Sequence, residues 1–231
     1  MFGIEEGLID WNFSIFDEGF FTLPEDGRIY RDWKEGGHGD TNLFKAITQS
    51  SNTYFFDLAY RSDINQLNKH LSSLGFGNKA CIDCFEEDQV FVPEPSWKMN
   101  KHNFGWFKGD TVNMGVGQGY LVSTPIQLAK YAYIMANKGK FSDLSLKKDL
   151  VKSEKNIEFN KFSNDDWLKL HESMVNVIEG NTGTARRLRE KKNYIVAAKT
   201  GTAELVSGDN REQYSETCLL YTSDAADELR S

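Results

Sequence analysis

Apolar residues fall into two rhythms along this chain. Over much of its length they recur three and four positions apart, the spacing of a helix with one buried face, whereas from Tyr194 they run unbroken through Ala198 into Lys199-Thr200-Gly201-Thr202. That late stretch, YIVAAKTGTAEL, combines β-branched and small apolar residues and reads as a buried strand. Helical stripes come before it. Asp40 or Thr41 can cap a helix that carries Leu43, Ala46 and Ile47 on one face and ends near Gln49-Ser50-Ser51-Asn52. A second apolar segment, TYFFDLAY, follows at once, so the polar junction is placed to present side chains into a cleft.

Asp63 caps the next helix, whose stripe of Ile64, Leu67, Leu71 and Leu74 closes at Gly75. Thr124 and Pro125 open a strong helix that Gly139 stops, and Ser163 to Asp166 open another bearing Leu168, Met174, Val175 and Ile178, closed by Gly180. Met1 to Asp40 is irregular, and Gly77 to Lys108 reads as a long surface excursion. Helices first and a strand late predict an α+β fold, a sheet with helices packed on it.

Composition narrows the function little. At 231 residues, with 39% hydrophobic and 13% aromatic content, the chain can bury a sizeable core. A net charge of −7 gives no ground for a nucleic-acid partner. No apolar run approaches the roughly 18 residues of a membrane span, and no signal peptide opens the chain. The three cysteines suggest no disulfide framework. Cys81 and Cys84 form a lone CxxC that could be a redox pair or half a zinc site, but no second pair follows at zinc-finger spacing.

The chemistry-bearing residues fall into three blocks. A Lys-Thr-Gly inside a buried strand is unusual, because Gly weakens a strand and marks a close backbone approach; Lys199, Thr200 and Thr202 would line a groove suited to a carboxylate or carbonyl. Gly115, Gly117 and Gly119 lack the Lys and Ser or Thr of a phosphate loop, which argues against nucleotide binding. Ser50-x-Asn52, the run GDTVNMGVGQGYLVSTPIQLA from Gly109 to Ala129, and Lys199-Thr200-Gly201-Thr202 occur in the order of the second and third motifs of penicilloyl-serine transferases.

On those residues the chain resembles a class B penicillin-binding protein, specifically the elongation-type (penicillin-binding protein 2) subfamily, which FDEGFFTLPEDGRIYRDWKEGGHG and SSNTYFFDLAY also resemble. The resemblance implies a transpeptidase fold of serine β-lactamase type, an antiparallel sheet packed with helices. It implies serine acyl transfer on D-Ala-D-Ala stem peptides, inhibition by β-lactams, and no required cofactor. Ser50 would relay a proton, Asn52 would hydrogen-bond the substrate amide, and Lys199 would tune the Ser50 hydroxyl. Thr200 and Thr202 would hold the substrate carboxylate, with Gly201 between them also substrate-binding and the Thr202 N–H as half of the oxyanion hole. Many members have Asp where this chain has Asn52.

The nucleophile of the family lies in a Ser-x-x-Lys that precedes Ser50, and no such tetrapeptide lies upstream of Ser50 here; Ser14, followed by Ile15, Phe16 and Asp17, is no substitute. The expectation is therefore a partial transpeptidase domain over residues 1–217, incomplete at both ends and inactive alone. CLLYTSDAADE, from Cys218, resembles adapter read-through, so 218–231 are expected to be a non-native tail. Some subfamily members carry zinc beside the site, and Asp17, Asp32 and His38 match the ligand positions, while Ser51 falls where a Cys would be. The alternative is that Asp32 and His38 simply hydrogen-bond a Gly-rich loop. The resemblance further implies a membrane anchor outside this chain, a periplasmic catalytic domain, and a SEDS-type glycosyltransferase and elongation scaffold proteins as partners. A β-lactam-binding sensor domain and a serine β-lactamase are the alternative readings.

Overall fold

The computed structural model describes residues 1–88, 90–148, 153–189, 194–204 and 215–223, with side chains as far as Thr202. A single turn of helix, α1 (Phe2–Glu5), leads into four short strands, β1 (Ser14–Asp17), β2 (Phe20–Thr22), β3 (Ile29–Arg31) and β4 (Gly39–Asn42). β1 pairs antiparallel with β4 and β2 with β3. Helices α2 (Leu43–Gln49), α3 (Asn52–Arg61), α4 (Ile64–Ser73), α5 (Pro95–His102), α6 (Lys108–Gly115) and α7 (Pro125–Ala136) follow. Then come β5 (Lys140–Phe141), β6 (Lys155–Asn156), α8 (Asn164–Glu179), β7 (Val196–Glu204) and β8 (Ser215–Ser223). β7 and β8 run antiparallel, Val196 opposite Ser223 and Glu204 opposite Ser215, and α8 lies against β7. The architecture is α+β, helices on antiparallel strands.

The cap of α2 is Asn42, whose side chain accepts the Lys45 N–H, rather than Asp40 or Thr41. Those two residues are taken by the pairing of β4 with β1, so the chain turns helical only after the ladder ends. Asp63, Thr124 and Ser163 cap α4, α7 and α8 as their side-chain chemistry predicts, the last two through capping boxes closed by Gln127 and Asp166. In α8 the inward face is Trp167, Leu170, Met174, Val177 and Ile178, while Leu168 is 48% exposed. Trp167 claims the interior one residue earlier because its large ring packs on Phe159 and Phe162.

Helix α8 links the two halves of the core. Its first half meets Leu43, Ala46 and Ile47 of α2 and Tyr54 of α3, and its second half meets Val196 and Ala198 of β7. Each fully buried aliphatic side chain here contributes about 1.5–3 kcal/mol. Helices α3 and α6 touch so closely at Gly115 that a Cβ there would overlap Ala59.

The Gly77–Lys108 excursion contains α5, which its weak periodicity did not reveal. Polar staples hold it: Lys98, although buried, pairs with Asp110 at 2.5 Å and faces the rings of Phe107 and Tyr120. Cys81 and Cys84, the lone CxxC, are joined in a disulfide. Asp83 between them accepts the Leu146 N–H at 2.9 Å, the Lys147 N–H at 3.2 Å and the Ser145 hydroxyl at 3.0 Å. Leu205 and residues 224–231 lie outside the described residues; Ser215–Ser223 is described only as backbone.

Candidate active site

Ser50 ends α2 in the left-handed conformation, φ 57° and ψ 43°. A non-glycine residue held there is uncommon and mildly strained, so its surroundings must impose it. Two groups do. The Ser51 hydroxyl caps α3 by accepting the Tyr54 N–H, which forces the chain to reverse between the helices. The Trp33 indole N–H donates to the Ser50 carbonyl at 2.9 Å and reaches the Gln49 carbonyl at 3.3 Å, satisfying orphan acceptors at the end of α2.

A fully shielded polar cluster lies beneath this reversal. One Asp32 oxygen accepts the Asn52 N–H at 2.7 Å and the Thr53 N–H at 2.9 Å, placing a carboxylate at the N-terminus of α3, where the helix dipole favours it. The other Asp32 oxygen lies 3.3 Å from His38 Nε2, and His38 Nδ1 lies 2.9 Å from Gln49 Oε1. Asp17, wholly buried, accepts the Ser51 hydroxyl at 2.7 Å and the Gly19 N–H at 2.8 Å. Strand pairing brings these residues together: Asp17 lies opposite Gly39, and Asp32 follows β3 with its N–H on the Gly19 carbonyl. Gly37, at φ 71°, has no room for a Cβ against the Asp17 carbonyl.

Ligand atoms of Asp17, Asp32 and His38 all lie within 4.8 Å of one another. Two carboxylates and one imidazole suit zinc, and the Gln49 contact to Nδ1 is the orienting hydrogen bond a ligating imidazole needs. The set therefore fits three of the four places of a tetrahedral ion. The Ser51 hydroxyl, already donating to Asp17, is a weaker fourth donor than a thiolate.

Facing the reversal, β7 delivers Lys199, whose Nζ donates to Ser50 Oγ at 2.6 Å and to the Thr200 carbonyl at 2.9 Å. The side chain is partly exposed as a whole, but its ammonium is sunk, and desolvation lowers its pKa from 10.5 to about 8. Thr200 Oγ1 lies 2.7 Å from Thr184 Oγ1, while Gly201 and Thr202 are exposed along the groove. The Asn52 carboxamide is half-buried and makes no hydrogen bond to a described residue. The Lys199–Ser50 contact thus joins the α2–α3 reversal, with Asn52 two residues on, to Thr200, Gly201 and Thr202 of β7, and Asp17, Asp32 and His38 lie on the reversal's other side around Ser51.

The glycine run is a connector. Gly117 and Gly119 both take φ 75°, which turns the chain after α6, and Gln118 between them donates to the Thr202 carbonyl at 2.9 Å. Gln118, Thr184, Trp33 and Gln49 were not singled out from sequence. Thr184 belongs to the short Thr-Gly-Thr-Ala after α8, whose only signal was its closeness in kind to the Lys-Thr-Gly-Thr of β7.

With this geometry in hand, the sequence matches the family described as penicillin binding protein transpeptidase domain over residues 1–227. The chain belongs to that family. It is 38% identical over 228 residues to the peptidoglycan D,D-transpeptidase MrdA of Acinetobacter baumannii, covering 95% of this chain and 33% of the relative. It is 37% identical over 222 residues to MrdA of Haemophilus influenzae, covering 93% and 34%. The chain therefore spans about a third of the length of these curated relatives. Pseudomonas aeruginosa PBP2 in complex with WCK 5153 superimposes with a TM-score of 0.87 at 31% identity, covering 97% of this chain and 50% of that one. PBP2 of Helicobacter pylori in complex with MreC superimposes with a TM-score of 0.82 at 29% identity, covering 96% and 41%. The family's fold therefore applies to this chain as a member. Among the described residues no helix is long and apolar enough to cross a membrane.

Proposed function

We propose that the full-length protein of which this chain is a part is a serine D,D-transpeptidase that cross-links peptidoglycan stem peptides during cell elongation. The observation that carries this reading is the Lys199–Ser50 contact, 2.6 Å long between residues 149 apart in sequence, in a family member whose relatives are named D,D-transpeptidases. Lys199, partly neutral near pH 8, tunes the Ser50 hydroxyl to pass a proton. Asn52 offers its carboxamide to the substrate amide. Thr200 and Thr202 hold the terminal carboxylate, Gly201 lets the substrate approach the strand between them, and the Thr202 N–H faces the oxyanion. The relatives' names favour this over a sensor or a β-lactamase.

The reading extends to an inner-membrane anchor outside this chain, a periplasmic catalytic domain, β-lactams as trapping ligands and a SEDS-type glycosyltransferase as partner. An MreC-like scaffold is supported by the Helicobacter pylori complex. Asp17, Asp32 and His38 are carried forward as the ligands of a structural zinc ion. Stoichiometric zinc in the full-length protein, lost in His38→Ala, supports that assignment; metal-free protein of unchanged stability removes it. For the catalytic reading, the test is labelling of the full-length protein by a fluorescent penicillin. Lys199→Ala and Asn52→Ala should each label far more weakly than wild type, and near-normal labelling of both refutes the roles.

A further inference from the structure

We infer that Thr184 is a positioning residue for carboxylate recognition, acting through Thr200. The inference rests on the reading of Thr200 as a carboxylate-binding residue. The two hydroxyl oxygens are 2.7 Å apart, and either could donate. A threonine hydroxyl has one proton and two lone pairs. If Thr200 donates to Thr184, it has no proton left for an incoming anion. A carboxylate brings only acceptors, so its arrival fixes one direction: Thr184 donates to Thr200, and Thr200 donates to the carboxylate. Such a chain polarises both bonds in the same sense.

The backbone around Thr184 is held firmly enough to keep that donor in place. Gly180 N–H donates to the Asn176 carbonyl at 2.9 Å, Gly183 N–H to the Gly180 carbonyl at 3.1 Å, and Ala185 N–H to the Val177 carbonyl at 2.9 Å. A Cβ on Gly183 would collide with the Asn176 and Val177 carbonyls, and Ala185 is buried in the cluster under β7. Thr182 Oγ1 accepts from Gln49 Nε2 at 3.1 Å, so the same turn is tied to the residue before Ser50. A turn that only filled space would be served equally well by Val at 184, which has the same shape without the hydroxyl.

The test compares acylation of the full-length protein by benzylpenicillin and by its methyl ester, in which the carboxylate is masked. Thr184→Val and Thr184→Ala should slow reaction with the free acid roughly fivefold or more, through weaker binding rather than a lower limiting rate. Reaction with the ester should change less than about twofold, and Thr184→Ser should restore the free-acid rate. Equal loss with acid and ester, or no loss with either, overturns the inference while wild-type labelling still supports the transpeptidase reading. Failure of the wild-type protein to react with penicillin sinks that reading and this one together.

Discussion

Asp32, under the α2–α3 reversal, accepts the Lys34, Asn52 and Thr53 N–H groups and the Thr53 hydroxyl, and Asp83, in the Cys81–Cys84 knuckle, accepts the Leu146 and Lys147 N–H groups and the Ser145 hydroxyl. Their surroundings differ. The Asp32 side chain is fully shielded from solvent, whereas Asp83 sits among Ile82, Phe85 and Leu146, which are 53%, 90% and 78% exposed. The Leu146 N–H, foremost among its donors, holds the Asp83 carboxyl below the ordinary carboxylate value. Water can replace a lost bond at the knuckle. Under the reversal it cannot, and every amide abandoned there stays desolvated. Carboxylate capping of this kind therefore fixes geometry rigidly at the site and only fastens a surface loop at the knuckle, where a covalent bond adds to it.

The sharpest way to break this comparison is to remove both carboxylates. Asp32→Ala should cost about 3 kcal/mol or more in denaturant unfolding, since it orphans the Asn52 and Thr53 amides at the start of α3. Asp83→Ala should barely move the unfolding midpoint. Equal losses would mean that burial does not separate the two. Next in size is an effect on chemistry without one on the fold. In the full-length protein, Lys199→Met should lower penicillin acylation by roughly 10²–10⁴-fold. It should leave thermal stability at neutral pH unchanged or raised, because it replaces a desolvated cation with an apolar side chain. A drop in melting temperature matching the activity loss would make Lys199 structural instead.

Smaller again is the covalent staple. Cys81→Ser with Cys84→Ser opens a ring closed across a separation of three residues, and so short a loop limits the stability loss to about 2 kcal/mol. Penicillin labelling should be unaffected, because Asp83 of the knuckle bonds to Ser145, Leu146 and Lys147 rather than to the site residues Ser50 or Lys199. Loss of labelling in the double variant would join the two regions that the comparison separates.

How much of this was legible beforehand follows from the same contrast. The caps of α4, α7 and α8 were readable at Asp63, Thr124 and Ser163 because capping is local chemistry. Ser50, Asn52 and Lys199 were readable because their spacing and order resemble a family's motifs, and the structure brings Ser50 and Lys199 into contact. Asn42 was missed as a cap because strand pairing from Ser14 overrode a better local candidate, and Leu168 was misplaced because a Trp beside it took the interior. Helix α5 was hidden because Lys98, a polar residue in the pattern, is its buried position. Thr184 was not singled out, because a Thr-Gly-Thr-Ala after a helix carries too little local signal. Its value lies in a 2.7 Å contact with Thr200 across the turn that follows α8.

Lys199 offers the finest test of desolvation as the governing difference. Its ammonium titrates near pH 8 in the fold and near 10.5 in a solvated chain. Below pH 8 both folded and unfolded states carry the proton, so the folded state bears the full cost of burying the charge. Between about 8 and 10.5 the unfolded chain binds a proton that the folded chain has released, and stability rises with pH across that window. Above it the cost is gone. Lys199→Met lacks this dependence, so its melting-temperature advantage over wild type should be largest below pH 8 and shrink steadily toward pH 10.5. Every other titratable group is common to both proteins and cancels in the difference. A difference that stays flat from pH 7 to pH 10 would show an ammonium still solvated by the groove, and Lys199 would then belong with Asp83 rather than with Asp32.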